Sequence, residues 1–135
     1  MSLFDVFDLA GSGMTAQSLR LNVTSSNLAN AESVATSADE AYRSRHPVFS
    51  ALMMGEAPES TGVRVLGVVE SAAPPVRRHQ PDHPLAEEQG YVFSSNVNPI
   101  EEMVNMLSAA QSYQSNVEIL NTTKELMLGT LRLGQ

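Results

Sequence analysis

Near its N-terminus, this chain of 135 residues repeats an apolar residue every seven positions. The large members of the repeat are Phe7, Met14, Leu21 and Leu28. A period of seven places such side chains along one side of an α-helix, as coiled-coil packing requires. The pattern predicts a helix over residues 3–30, about 42 Å long at 1.5 Å per residue. Gly11 and Gly13 each cost about 1 kcal/mol inside a helix, so we expect the first turns to fray or bend there.

A second helical pattern begins at Pro99 and ends before Gly134. Proline suits the first turn of a helix, and Glu101 and Glu102 place negative charge at the positive end of the helix dipole. Glycine is a common stop signal. The predicted helix has about 33 residues and a length of roughly 50 Å. Its apolar residues at helical spacing are Ile100, Val104, Leu107, Ala110, Val117, Leu120, Met127 and Leu131.

The middle of the chain, residues 32–96, has a different composition and contains every proline except Pro99. Residues 42–52, 63–70 and 91–93 are rich in β-branched and aromatic types, which predicts three short strands. Gly55, Pro58 and Gly62 predict the turn of a hairpin between the first two strands. The prolines at 74–75 and 81–84 predict an extended connection. This β-rich insert is too small for a deep core of its own.

We therefore expect a mainly α fold with a β-rich insert. The predicted segments are an N-terminal helix (1–35), the insert (36–96) and a C-terminal helix (97–135), and the two helices pair as an antiparallel coiled-coil-like hairpin that forms one helical domain. The residues predicted to pack within the subunit are Phe7, Met14, Leu21, Leu28, Ile100, Leu107, Ala110, Val117, Leu120, Met127 and Leu131.

Both predicted helices carry unusually little charge on their outer faces. Only three charged residues lie within positions 3–31 and six within positions 99–135, where an exposed helix normally carries many more. One interpretation is an isolated helix pair with an uncharged surface. We favour self-assembly, because one pair cannot cover both faces of each helix and burying neutral side chains avoids the cost of desolvating charge. The candidate subunit contacts are Asn22, Ser26, Asn27, Asn30, Gln111, Gln114, Asn116 and Asn121.

The charge balance and hydropathy exclude several classes of partner. With 8 Lys+Arg against 15 Asp+Glu, a net charge of −7 and a single lysine (Lys124), the chain lacks the basic surface that nucleic acid requires. No apolar run approaches the roughly 20 residues of a membrane span, so we expect no membrane insertion. Asp5 and Asp8 stand where a cleaved signal peptide would carry positive charge and an apolar core.

The chain offers no convincing catalytic or metal site. His79 and His83 are four apart with Asp82 between them, but Pro81 and Pro84 prevent the helix that would bring both imidazoles to one metal. There is no cysteine, no nucleophile motif and no phosphate-binding glycine loop. We therefore expect no enzymatic activity, no metal and no cofactor.

Three segments resemble the axial proteins of the bacterial flagellum. The string Ser-Asn-Leu-Ala-Asn at residues 26–30, within residues 19–34, resembles the N-terminal motif of the flagellar basal-body rod protein family. Residues 96–135 resemble its C-terminal helix, and this ending and residues 41–49 are most similar to the proximal rod members. The resemblance spans the whole chain, and the joint presence of both terminal motifs makes it specific.

The resemblance implies a structural role. Proteins of this family pair their terminal helices and stack them around a hollow tube, with the middle β region further out, to form the drive shaft that transmits torque for motility. The implied partners are copies of this chain, other flagellar rod proteins, the base-of-rod adaptor and the flagellar export apparatus. The implied location is the rod spanning the periplasm, reached by export without a cleaved signal peptide. The alternative left open is a helical adaptor that binds a partner helix.

Overall fold

The computed structural model describes residues 2–54 and 61–134, and these contain a long helix at each end with short strands between them. The elements in chain order are α1 (Leu3–Ala29), β1 (Val34–Ala35), β2 (Arg45–Met53), β3 (Thr61–Glu70), β4 (Val76–His79), β5 (Tyr91–Ser94) and α2 (Pro99–Leu133). The two predicted helices and a small β region between them are thus confirmed. Gly55 and Pro58, assigned to a turn from the sequence, lie outside the described residues.

Helix α1 begins with a reciprocal cap. The Ser2 backbone N donates to Asp5 Oδ2 over 2.7 Å, and the Asp5 backbone N donates to Ser2 Oγ over 3.2 Å. The hydrogen bond from the Ser2 backbone lowers the pKa of Asp5 because it stabilises the ionised carboxylate. The expected fraying at Gly11 and Gly13 is not observed, since the helix runs through both.

Helix α2 begins at the predicted proline, with Asn98 as its N-cap. Asn98 Oδ1 accepts hydrogen bonds from the backbone N of Ile100 (3.1 Å) and of Glu101 (3.4 Å). The helix continues for 35 residues to Leu133. Gly134 follows it, and its backbone N donates to the Thr130 carbonyl over 3.1 Å.

Strands β1, β5 and β4 form a three-stranded antiparallel sheet with β5 in the middle. Val34 pairs with Ser94 on one side of β5, and His79 pairs with Tyr91 on the other. Val92, in the central strand, is 0% exposed. The sequence predicted β5 but missed β1 and β4, and β4 falls between the two groups of prolines, where an extended connection was expected. Strand β1 has only two residues, too few for a recognisable alternation, and β4 contains a single β-branched residue, Val76, whereas β5 is rich in β-branched and aromatic types.

Strands β2 and β3 form a separate two-stranded sheet, at positions close to those predicted. The described residues also divide into two compact units. Unit 1 is drawn from Met1–Leu21, Pro47–Gly67 and Leu107–Gln135, and unit 2 from Asn22–His46 and Val68–Met106. Both long helices contribute residues to both units. The division at residues 35 and 96 that the sequence suggested stays a prediction.

Candidate interaction surfaces

Burial along α2 follows a period of seven, but in a different phase from that of the predicted apolar residues. On α2 the buried residues Glu102, Ala109 and Thr123 fall on one heptad repeat, with the half-buried Asn116 at its remaining position. The buried residues of α1 are Ala10, Ala16, Val23, Thr24 and Asn27. The residues that the helices bury most completely are therefore small or polar.

The large apolar residues chosen from the sequence are mostly not core residues of the single chain. Ile100, Leu107 and Leu131 are 74%, 71% and 68% exposed, and Phe7 and Ala110 are also exposed. The others are half-buried: Met14, Leu21, Leu28, Val117, Leu120 and Met127. The five exposed residues are therefore not core residues of the single chain, whereas the packing of the six half-buried ones stays a prediction. Size and hydrophobicity favour all of them as a core, but the residues that the helices bury most completely are small or polar.

Unit 1 shows such a close approach at Gly13. A Cβ atom on Gly13 would lie 3.0 Å from Asn116 Nδ2 and 3.2 Å from Asn116 Cγ. The absence of a side chain on α1 therefore makes room for Asn116 on α2, whose Nδ2 donates to the Ser112 carbonyl over 3.0 Å. Asn116 is half-buried and contacts α1 within unit 1, and its predicted contact with a neighbouring subunit stays a prediction.

The two-stranded sheet contacts α1 within unit 1. The Val63 backbone N donates to Ser12 Oγ over 3.2 Å, and Ser12 Oγ donates to the Leu9 carbonyl over 2.7 Å. Gly62 is buried beside this contact, where a Cβ atom would lie 2.9 Å from Ser12 Oγ and 2.6 Å from Met54 Sδ. Ser12 of α1 thus anchors β3 through the backbone of Val63.

Unit 1 also contains an apolar cleft of about 450 Å³, formed where the start of α1 meets the end of α2. Phe4 and Leu131 line it and are largely exposed, and Lys124 supplies its one charged side chain. The other lining residues are Leu3, Met127, Leu128 and Thr130.

In unit 2, Asn27 lies at the centre of a hydrogen-bonded network. Its Nδ2 donates to the Arg45 carbonyl (2.8 Å) and to Glu102 Oε2 (3.1 Å). Its Oδ1 accepts from the Arg45 backbone N (2.9 Å) and from the Tyr42 hydroxyl (3.0 Å). Asn27 is 1% exposed and Glu102 is 4% exposed. Asn27 was predicted to contact a neighbouring subunit, but the structure places it inside its own chain.

The neighbouring predicted contacts Ser26 and Asn30 also face partners within the chain. Ser26 Oγ lies 3.2 Å from the Tyr42 hydroxyl, and Asn30 Nδ2 donates to the Ser26 carbonyl over 2.9 Å. The sequence identified these residues as a group but not what they bind. Four of the predicted contacts are exposed and available to a partner: Asn22, Gln111, Gln114 and Asn121.

Two residues of unit 2 that the sequence analysis did not select complete its polar framework. Ser95 Oγ donates to the Ala31 carbonyl over 2.9 Å. Asn96 Oδ1 accepts from the Ser44 backbone N (2.7 Å), and its Nδ2 donates to the Ala73 carbonyl (2.8 Å). The run of polar residues immediately before Pro99 is the sequence signal that could have identified Ser95 and Asn96 as structural residues.

The histidine-containing segment 79–84 lines an open cavity of about 480 Å³ in unit 2. His79 contacts the Tyr91 ring edge-on at 4.9 Å, and Arg77 lies over the same ring at 3.9 Å. Within residues 2–54 and 61–134, no group of three potential metal-ligating side chains lies together. None of the described helices combines the length and hydropathy needed to cross a bilayer.

Comparison with known proteins gives matches at both ends of the chain and over its full length. Residues 7–35 match the family model described as flagella basal body rod protein, and residues 88–133 match that of the flagellar basal body rod FlgEFG protein C-terminal region. The flagellar basal-body rod protein FlgC of Yersinia enterocolitica is 52% identical, and that of a strain of Escherichia coli is 50% identical, each over the whole of both chains. FlgC of Aquifex aeolicus is 37% identical over 93% of this chain and 92% of its own.

Proposed function

This chain belongs to the FlgC family of flagellar basal-body rod proteins, and on that premise we propose how its surfaces serve the rod. It is a structural subunit of the rod, the drive shaft of the flagellum. Its action is mechanical: stacked helices of successive subunits form a stiff tube that passes torque outward. We assign it no enzymatic activity and no cofactor. The full-length identity of about 50% to FlgC carries the conclusion.

Within the subunit, α1 and α2 pair antiparallel in a coiled-coil-like hairpin. Support comes from each unit separately. In unit 1, Leu3 and Phe4 share a cleft with residues 127–131, whereas Gly13 contacts Asn116, so residue numbers fall along α2 as they rise along α1. In unit 2, Asn27 contacts Glu102. The small buried residues of both helices are suited to such a close approach.

Between subunits, the exposed faces of the helices make the contacts. Ile100, Leu107 and Leu131 project apolar side chains into solvent in the single chain, and burying them against a neighbour removes apolar surface from water. Asn22, Gln111, Gln114 and Asn121 are exposed neutral residues that can be buried with hydrogen bonds and without desolvating charge.

The partners that follow are copies of this chain, other flagellar rod proteins, the base-of-rod adaptor and, in transit, the export apparatus. The location that follows is the part of the rod within the periplasm, reached without a cleaved signal peptide. The net charge of −7 then slows the nonspecific association of free subunits, because they repel one another.

Substitution of Gln111 by glutamate tests the assignment of subunit contacts. Gln111 is exposed, so Gln111→Glu leaves the melting curve and export of the free chain unchanged. In the rod, the new carboxylate is buried without a counter-charge, and rod assembly and swimming are lost. The neutral variant Gln111→Ser is the matched control and remains motile. Full motility of Gln111→Glu would remove this face of α2 from the subunit interface.

The apolar cleft in unit 1 favours one alternative, a helical adaptor whose cleft holds a partner helix. An adaptor is fully folded and binds its partner as a monomer, whereas in a rod subunit the outermost turns of both terminal helices form only on assembly. Circular dichroism of the free chain distinguishes the two. Helix content near the 62 residues of α1 and α2 combined in the monomer would favour the adaptor.

A further inference from the structure

Unit 2 buries a carboxylate whose described partner is an amide. Glu102 in the first turn of α2 is 4% exposed, and Asn27 Nδ2 donates to its Oε2 over 3.1 Å. The two ion pairs among the described residues join Arg45 to Glu70 and Arg77 to Glu87, and neither includes Glu102. A carboxylate removed from water is strongly destabilising unless donors compensate it. The carboxamide of Asn27, together with the positive end of the α2 dipole, therefore compensates the buried Glu102.

The hydrogen-bonding capacity of Asn27 is fully used. A carboxamide has two N–H donors and an oxygen with two lone pairs. Nδ2 donates to the Arg45 carbonyl and to Glu102, and Oδ1 accepts from the Arg45 backbone N and the Tyr42 hydroxyl. Leucine has a similar shape but satisfies none of these groups. Aspartate would lose both donors and place a second carboxylate beside the first.

These four bonds join three segments that are distant in sequence. They connect the end of α1, the residues that lead into β2 and the first turn of α2, across separations of 18 and 75 residues. Because Asn27 binds both the backbone N–H and the backbone carbonyl of Arg45, the first residue of β2, the course of the chain into β2 depends on this side chain.

We propose that Asn27 and Glu102 form a latch on which the folding of unit 2 in the free chain depends. Asn27, the first asparagine of the Ser-Asn-Leu-Ala-Asn string, then stabilises the fold of its own subunit and makes no contact with a neighbouring one. The latch is a property of the isolated chain, so it stands or falls separately from the role in the rod.

Amide hydrogen exchange and denaturant unfolding of the isolated full chain test the latch. In Asn27→Leu, the folding equilibrium constant of unit 2 falls by at least about 100-fold, because Glu102 is left buried without its donor. The Arg45 amide, which Asn27 Oδ1 holds, loses its protection in the same variant. Asn30→Ala is the matched control: its Nδ2 bonds only the Ser26 carbonyl, so the constant changes by less than about 10-fold.

A double variant keeps the test decisive if Asn27→Leu fails to fold. In Asn27→Leu/Glu102→Leu, the stranded carboxylate is gone, so the double variant folds even where Asn27→Leu does not, and its folding constant is at least about 10-fold higher than that of Asn27→Leu. A double variant no more stable than Asn27→Leu would overturn the latch. Wild-type protection of the Arg45 amide in Asn27→Leu would also overturn it, and would return Asn27 to the subunit interface while leaving the rod function intact.

Discussion

Unit 1 and unit 2 are built from the same two helices but stabilised in different ways. Unit 2 contains the three-stranded sheet and a network in which Asn27, Asn96 and Ser95 bond distant backbone groups. Unit 1 relies on close approach at small residues such as Gly13 and leaves Leu107 and Leu131 in solvent. The difference teaches that polar side chains on similar helices can have opposite purposes. Several of those in unit 2, such as Asn27, complete the fold, whereas several of those in unit 1, such as Gln111 and Asn121, remain available for partners.

The largest expected contrast between the units comes from removing one apolar side chain from each. Val92→Ala deletes two methyl groups from a position with no exposure and lowers the free energy of unfolding by about 2 kcal/mol. Leu107→Ala removes a larger side chain that is 71% exposed, and its effect stays within about 0.5 kcal/mol. Guanidinium unfolding followed by circular dichroism measures both. Equal losses would mean that Leu107 is already buried in the free chain.

A smaller effect is expected at the cap of α2, within unit 2. Asn98→Ala removes the acceptor for the backbone N–H groups of Ile100 and Glu101 and costs about 1 kcal/mol of stability. Asn121→Ala, on an exposed position of the same helix in unit 1, is the control and costs less than about 0.5 kcal/mol. Thermal melts of both variants decide the matter, and an equally large loss at Asn121 would contradict the division between structural and available asparagines.

The smallest expected effect distinguishes two glycines inside unit 1. Gly11→Ala raises the free energy of unfolding by up to about 1 kcal/mol, because alanine favours the helix and nothing lies within 4 Å of the new Cβ. Gly13→Ala gains less or loses stability, since its Cβ would meet Asn116 at 3.0 Å. The combined variant Gly13→Ala/Asn116→Ala regains the benefit. If Gly13→Ala alone matched Gly11→Ala, the close approach would not constrain unit 1.

The sequence predicted what local chemistry determines. Pro99 and Gly134 located the ends of α2. The phase of burial along α2 was not predictable from hydropathy, because it depends on how closely the chain packs at small residues, as at Gly13. The burial of Asn27 was missed for a related reason: its partners Tyr42, Arg45 and Glu102 are brought to it only by the fold. Asn27 was therefore predicted to lie on the surface, because no local sequence pattern reveals its hydrogen bond to Glu102, 75 residues away.

The discontinuous composition of unit 1 also bears on the time course of synthesis. Residues 3–21 emerge from the ribosome first, but their partners in α2 begin only at Leu107. The intervening residues 22–106 take roughly 4 to 17 s to translate at about 5–20 residues per second. A helix of about 20 residues forms in roughly a microsecond. The synthesis of α2, and not the rate of helix formation, therefore limits how early unit 1 can form. During those seconds, the face of residues 3–21 that carries Ala10 and Gly13 has no partner from α2 to pack against. All segments of unit 2 are synthesised in the same interval and become able to fold.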